Sequence, residues 1–168
     1  NTELHDVVVV VGESLEDTYA DLVASWFGTP AGLHVDGWTE LGCVDGHRVH
    51  LRREPAPAGG PRLYFVNLGG YRSAELQEAH GNQFVVAGSP RAAKERVKST
   101  LLRDHREVHT DDLHDVDHLL QRAVAAGWHV WLEQTGEADG PTVHNGYLPL
   151  PEAIIAEAAA GDREADGA

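Results

Sequence analysis

The chain has 168 residues, with 13 Lys and Arg against 27 Asp and Glu, a net charge of −14 and 42% hydrophobic residues. That is the composition of a folded protein, and the length suits one compact domain or two small halves. The excess of acid argues against a nucleic-acid binder, whose affinity rests on Lys and Arg, and no run approaches the ~20 apolar residues of a membrane span.

The first residues resemble neither a signal nor a transit peptide. Val7 to Val11 reads as a strand. Ser14 with Asp17 forms a capping-box pattern, opening a helix whose Leu15, Tyr19, Leu22, Val23 and Trp26 share one face. Trp38 to Val44 and His47 to Leu51 read as strands around Asp45-Gly46, the dipeptide of a type I′ turn. The lone cysteine, Cys43, excludes an intrachain disulfide or a thiolate metal cluster within one subunit. It reads as a small buried hydrophobe, and a reducing cytoplasm is the simplest compartment.

Glu54 to Pro61 (EPAPAGGP) reads as a linker. Leu63 to Leu68 is a strand ending in Gly69-Gly70. The motif G-x-G-x-x-G is absent, so the two glycines suit a turn of positive φ better than a phosphate loop. Gln83 to Val86 is another strand, and Ser89-Pro90 opens a helix with Ala93, Val97 and Leu101 on one face. A helix from Leu119 to Ala126, capped by Asp115 or Asp117 and closed by Gly127, precedes the strand Trp128 to Glu133. Pro151 to Ala160 reads as a short helix with Ile154 and Ile155 docking inward, and Gly161 to Ala168 as a frayed tail. The four tryptophans are mainly core candidates.

Sliding the chain by 75 positions places Glu3, His5, Val10, Val11, Ser14, His34 and Asp36 on Glu78, His80, Val85, Val86, Ser89, His109 and Asp111. Composition alone would give roughly two or three identities over that stretch. A duplicated unit follows. The expected fold is α+β, two tandem strand-strand-helix-strand repeats related by a pseudo-twofold axis. Repeat one spans 1–53, the linker 54–61, repeat two 62–134, and a loop, short helix and tail 135–168. The second copy's leading strand has no counterpart in the first, so the first strand of repeat one is expected upstream of Asn1. Its absence would leave a sheet edge that a homo-oligomer could cover.

The strings ELHDVVVVVGESLEDTY, HVDGW, VDGHRVHL and LYFVNLGGYRSAELQEAHGNQFVV resemble the bacterial family known as domain of unknown function 1543. The resemblance reaches to about Glu133. It implies two tandem copies of a small α/β unit and a bacterial, cytoplasmic origin, and no mechanism.

The duplicated polar residues are the candidate site: Glu3, His5, His34, Asp36, Glu78, His80, His109 and Asp111. Glu-x-His and His-x-Asp in extended chain put both side chains on one face of a sheet. One copy's set suits a divalent metal such as zinc or manganese, with His80, His109 and Asp111 as ligand candidates, or a general base with an orienting carboxylate. The same residues also serve as turn caps and backbone partners, as Asp36-Gly37 would in a turn. His114 and His118 lie four apart, but His114 falls outside the helix. His47 and His50 lie on opposite faces of a strand, so both pairs read as surface.

Two functions follow from these residues. One is a non-catalytic module binding a small molecule or a partner, or forming a homo-oligomer. The other is a metal-assisted or His-dependent hydrolase using the duplicated sets. Neither nucleic acid nor membrane is an expected partner.

Overall fold

The structure, a computed structural model, describes residues 4–122 and 127–157. A 3-10 turn, Glu16–Thr18, leads into α1 (Tyr19–Ser25), followed by β1 (His34–Glu40), β2 (Cys43–Val44), β3 (His47–Arg52), β4 (Arg62–Tyr71) and β5 (Ala79–Ala87). Then come α2 (Pro90–Lys98), β6 (Arg106–Asp115), α3 (Val116–Arg122), β7 (His129–Gln134) and β8 (Thr142–Pro149). The fold is α+β, and the chain forms two compact units. The first comprises residues 1–40, 120–127 and 142–168, the second 41–119 and 128–141. Among the described residues, no helix is long and apolar enough to cross a membrane.

The second unit contains the expected repeat in full: strand β4, strand β5, helix α2, strand β6. Its sheet runs β5-β4-β6, all antiparallel, with β4 in the centre. Alternation sorts β4 between two faces. Tyr64, Val66 and Leu68 are buried beneath α2 with Val85, Ala93 and Val97, while Leu101, Leu102, Val108 and Leu113 close the edges. Leu63, Phe65, Asn67, Gly69 and Tyr71 take the other face, where Phe65 meets Phe84 at 5.3 Å. Ser89 caps α2 by accepting the Ala92 N–H at 3.2 Å, with Pro90 in the first turn. In the same unit, β2-β3-β7 form a second sheet. Its hairpin turns at Asp45 and Gly46, with φ of 52° and 73°, as a type I′ turn requires. Asp45 also accepts the Val86 N–H at 2.7 Å and pairs with Arg96 at 2.6 Å. Cys43 is a buried free thiol.

The first unit departs from its twin. Ser14 and Asp17 do form the reciprocal cap: the Ser14 N–H donates to Asp17 at 3.0 Å and the Asp17 N–H to Ser14 Oγ at 3.3 Å. Val7 to Val11, however, makes no strand. The run is apolar and β-branched, but β propensity needs a partnered, half-buried surface to express itself. The place beside β1 that the sequence leaves to an upstream strand is taken by β8, antiparallel, with His34 opposite Pro149 and Trp38 opposite His144. The segment Trp38 to Val44 is likewise not one strand, because the chain breaks after Glu40 and resumes at Cys43.

Three further expectations are corrected. Gly69 and Gly70 lie inside β4 rather than in a turn, and neither has positive φ. The tryptophans sit at the surface margin instead of the core: Arg52 covers Trp131 at 4.3 Å, Arg53 covers Trp128 at 3.7 Å, and Trp38 stacks on His144 at 4.5 Å. Finally, α3 begins at Val116, not Leu119, because the Asp115 carboxylate accepts the Asp117 N–H at 3.0 Å. Residues 123–126 of that expected helix lie outside the described residues. Gly127 has φ of 96°, the conformation a helix-closing glycine takes. Residues 152–157 are helical with Ile154 and Ile155 half-buried, and the expected tail lies outside the described residues.

Candidate functional site

Gly69 lies near the end of the central strand β4, on the face away from α2, paired with His80 on β5 and His109 on β6. Cross-strand partners share a face, so two imidazoles flank a position with no side chain. Glu78 leads into β5. Asp111 sits where the β4–β6 register slips: Thr110 pairs with Leu68 and Asp112 with Asn67, leaving Asp111 between them without a partner. Such a bulge re-aims the side chain it carries. Asp36-Gly37, expected as a turn, lies within β1, and Asp36 occupies the corresponding slip between Val35 and Gly37.

The carboxylates of Glu78 and Asp111 fill the space above Gly69. A Cβ there would fall 2.6 Å from Asp111 Oδ2 and closer still to Glu78 Oε1. Glycine is required at position 69 for this close approach, not for backbone freedom. His109 Nε2 lies 3.1 Å from Glu78 Oε1 and 3.0 Å from Asp111 Oδ1, while His80 Nδ1 lies 3.2 Å from Asp111 Oδ2. The donor atoms of Glu78, His109 and Asp111 all fall within 4.8 Å of one another, near enough to hold one metal ion.

The opposite ring nitrogen of His109 fixes its role. Nδ1 lies 2.9 Å from the Glu107 carbonyl oxygen. A carbonyl only accepts, so Nδ1 carries the proton and donates it, and in the neutral ring Nε2 presents a lone pair. That lone pair meets two carboxylate oxygens. Glu78 Oε1 is buried and has no hydrogen-bond donor. Three electron pairs facing one another are satisfied only by a shared proton or a cation. The pKa of His109 is accordingly raised, first by the bond to Glu107, then by the charges of Asp111 and Glu78; partial burial and Lys98 oppose the shift. Glu107 itself has φ of 54°, a strained left-handed conformation that presents its carbonyl to the ring.

Sequence reasoning missed three members of this site. Tyr71, two residues beyond Gly69 on the same face, stacks on His109 at 6.2 Å, and its hydroxyl pKa is raised, chiefly by the charge of Glu78. Gly69 and Glu107 are the others. The signal for Tyr71 and Gly69 was period two along β4, had the strand been extended through both glycines.

In the first unit His34 Nε2 lies 3.4 Å and His5 Nε2 3.2 Å from Asp36, and His34 Nδ1 lies 3.0 Å from the Gly32 carbonyl. Gly32 matches Glu107 in the repeat and also has positive φ, 79°. Tyr147 lies over His34 at 4.4 Å. Glu3 lies outside the described residues. Elsewhere, His114 lies 3.0 Å from Asp112, His50 2.9 Å from Glu133, and His47 2.9 Å from its own turn carbonyl.

Residues 1–51 and 75–126 match the family Domain of Unknown Function (DUF1543) as two tandem segments. The chain belongs to that family. All eight duplicated polar residues of this DUF1543 protein fall inside the matched segments, whereas β4 and β8, which carry Gly69, Tyr71 and Tyr147, fall outside them. The chain is also similar to a solved structure described as the crystal structure of a protein Il1583 from Idiomarina loihiensis. The two are 38% identical with a TM-score of 0.65, over 90% of this chain and 88% of that one. Comparison with curated proteins gives no match.

Proposed function

We propose that this DUF1543 protein is a non-catalytic ligand-binding module whose ligand is a divalent cation, held in the second unit by Glu78, His109 and Asp111. One observation carries the reading: the Nε2 lone pair of His109 converges with two carboxylate oxygens, at 3.1 and 3.0 Å, while Nδ1 is committed to a backbone carbonyl. A second interaction that fixes the tautomer and aims the other nitrogen is the usual support of a metal-bound histidine. One imidazole and two carboxylates suit zinc or manganese. A single buried thiol, Cys43, suits a reducing cytoplasm.

The test is titration of metal-free protein with Zn²⁺ and Mn²⁺ by calorimetry, with elemental analysis of the product. Stoichiometric binding that His109→Ala abolishes supports the reading. Wild-type protein that takes up neither ion overturns it.

A second reading, metal-assisted hydrolysis, has one observation in its favour. Three protein donors leave coordination positions for water, and the His109 side chain is 46% exposed. Zinc-dependent cleavage of an activated ester, lost in His109→Ala, would favour it over the non-catalytic module.

A further inference from the structure

We infer that His80 is the positioning residue of the cation centre: its Nδ1–H holds Asp111 Oδ2, so that Asp111 meets the cation through Oδ1 alone and the centre favours Zn²⁺ over Ca²⁺. The inference rests on the cation reading above. It assigns the one member of the second unit's duplicated polar set that the cation reading leaves unused.

His80 lies on β5 and Asp111 on β6, with β4 between them. Two strand spacings are about 10 Å, so side chains on such outer strands ordinarily have a third side chain between them. Here the intervening residue is Gly69, the cross-strand partner of His80. Asp111 Oδ2 reaches over it, 2.6 Å from where a Cβ would stand, and lies 3.2 Å from His80 Nδ1. Gly69 and His80 thus act on the same carboxylate oxygen. The glycine makes room for it, and the imidazole holds it.

The two imidazoles that flank this glycine carry their protons in opposite places. His109 gives its Nδ1 proton to the Glu107 carbonyl at 2.9 Å and turns a bare Nε2 toward Glu78 and Asp111. His80 turns Nδ1 itself toward Asp111. An ionised carboxylate only accepts, so His80 Nδ1 carries the proton and has no lone pair to give a metal. Among the described residues, the donor atoms near enough to share one ion come from Glu78, His109 and Asp111, without His80.

The oxygens of Asp111 are thereby divided. Oδ1 lies 3.0 Å from His109 Nε2, on the side of the cation, and Oδ2 is occupied by His80. Zinc is satisfied by about four ligands and one oxygen from a carboxylate. Calcium takes about six to eight oxygens and often both from one carboxylate, which the bond to His80 denies it.

The experiment is calorimetric titration of the metal-free full chain with Zn²⁺ and with Ca²⁺, for wild type, His80→Ala and His80→Asn. The asparagine amide donates where Nδ1 does, and its nitrogen cannot ligate. The Zn²⁺ equivalent that His109→Ala abolishes should bind about 10- to 100-fold more weakly in His80→Ala, and His80→Asn should recover most of that loss. The ratio of Zn²⁺ to Ca²⁺ affinity should fall in His80→Ala and return in His80→Asn, a pattern that a merely structural role would not produce. Unchanged Zn²⁺ affinity in His80→Ala would overturn the role of His80 and leave the cation reading standing. Binding as weak in His80→Asn as in His80→Ala would also overturn it, making His80 a ligand. Ca²⁺ that binds no better relative to Zn²⁺ in His80→Ala than in wild type would overturn the selectivity. No zinc bound by wild type would overturn the cation reading itself.

Discussion

The two units carry the same polar set at matching places, and among the described residues the tight cluster is that of Glu78, His109 and Asp111 in the second. The second unit builds β5-β4-β6 over a core of Tyr64, Val66, Leu68, Val85, Ala93 and Val97. The first has a two-stranded sheet, with Val23, Leu120 and Leu150 as its buried apolar residues among those described. A large core offsets the strain of Glu107 and the crowding of two carboxylates, costs of order 1–3 kcal/mol each. The first unit relaxes the strain, with Gly32 in place of Glu107, and has Pro149 where the second has Gly69.

The contrast can be broken most strongly in the core. Leu68 and Leu148 face Thr110 and Val35 at equivalent ladder positions, but Leu68 is fully buried and Leu148 half-buried. Leu68→Ala should destabilise by about 2–5 kcal/mol in chemical denaturation, and Leu148→Ala by about half as much. Equal costs would mean that the two sheets are equally supported.

Next comes Gly69→Ala. Its Cβ would displace Glu78 or Asp111, so zinc affinity should fall by about 10- to 100-fold, whereas Pro149→Ala should leave it unchanged. The pH dependence sharpens the same point. Because the pKa of His109 is raised above its usual 6.5, the protonated ring persists to higher pH, and zinc needs the deprotonated one. Zinc affinity should therefore weaken as pH falls from about 8 to about 6, starting above the ordinary histidine range. A flat profile in calorimetry would contradict ligation by Nε2.

Smaller effects test the local backbone. Glu107→Gly should stabilise the second unit by about 1 kcal/mol by relieving its positive φ, while Gly32→Glu should destabilise the first by a similar amount. Ser89→Ala should cost about 1 kcal/mol and Ser14→Ala somewhat less, since Ser14 caps only a 3-10 turn ahead of α1. Thermal melts at constant metal concentration would resolve each pair.

Local chemistry made much of this legible in the sequence. The caps at Ser14 and Ser89, the Asp45-Gly46 hairpin and the apolar face of α2 depend on neighbours within four residues, and the structure contains all of them. The duplicated His and Asp could be placed on one face because period two survives a change of context. What escaped depended on distant partners. β8 escaped because Gly146 and Pro149 interrupt its pattern, and only pairing with β1 makes it a strand. Val7 to Val11 was overread for the converse reason: its composition suits a ladder that it does not form. Gly69 gave the right signal, an indispensable glycine, but two physical causes produce that signal and only tertiary structure separates close approach from positive φ.

The strand exchange that puts β8 beside β1 also fixes an order of events. The second unit's main sheet, residues 62–115, is contiguous and can assemble as soon as β6 leaves the ribosome. The first unit's sheet joins residues as far apart as Glu40 and His144, 104 positions in the chain, and must wait until β8 has been made. Until then β1 is without β8, the strand it pairs with once folded, and an unpaired strand is the state in which a nascent chain is most open to pairing with another.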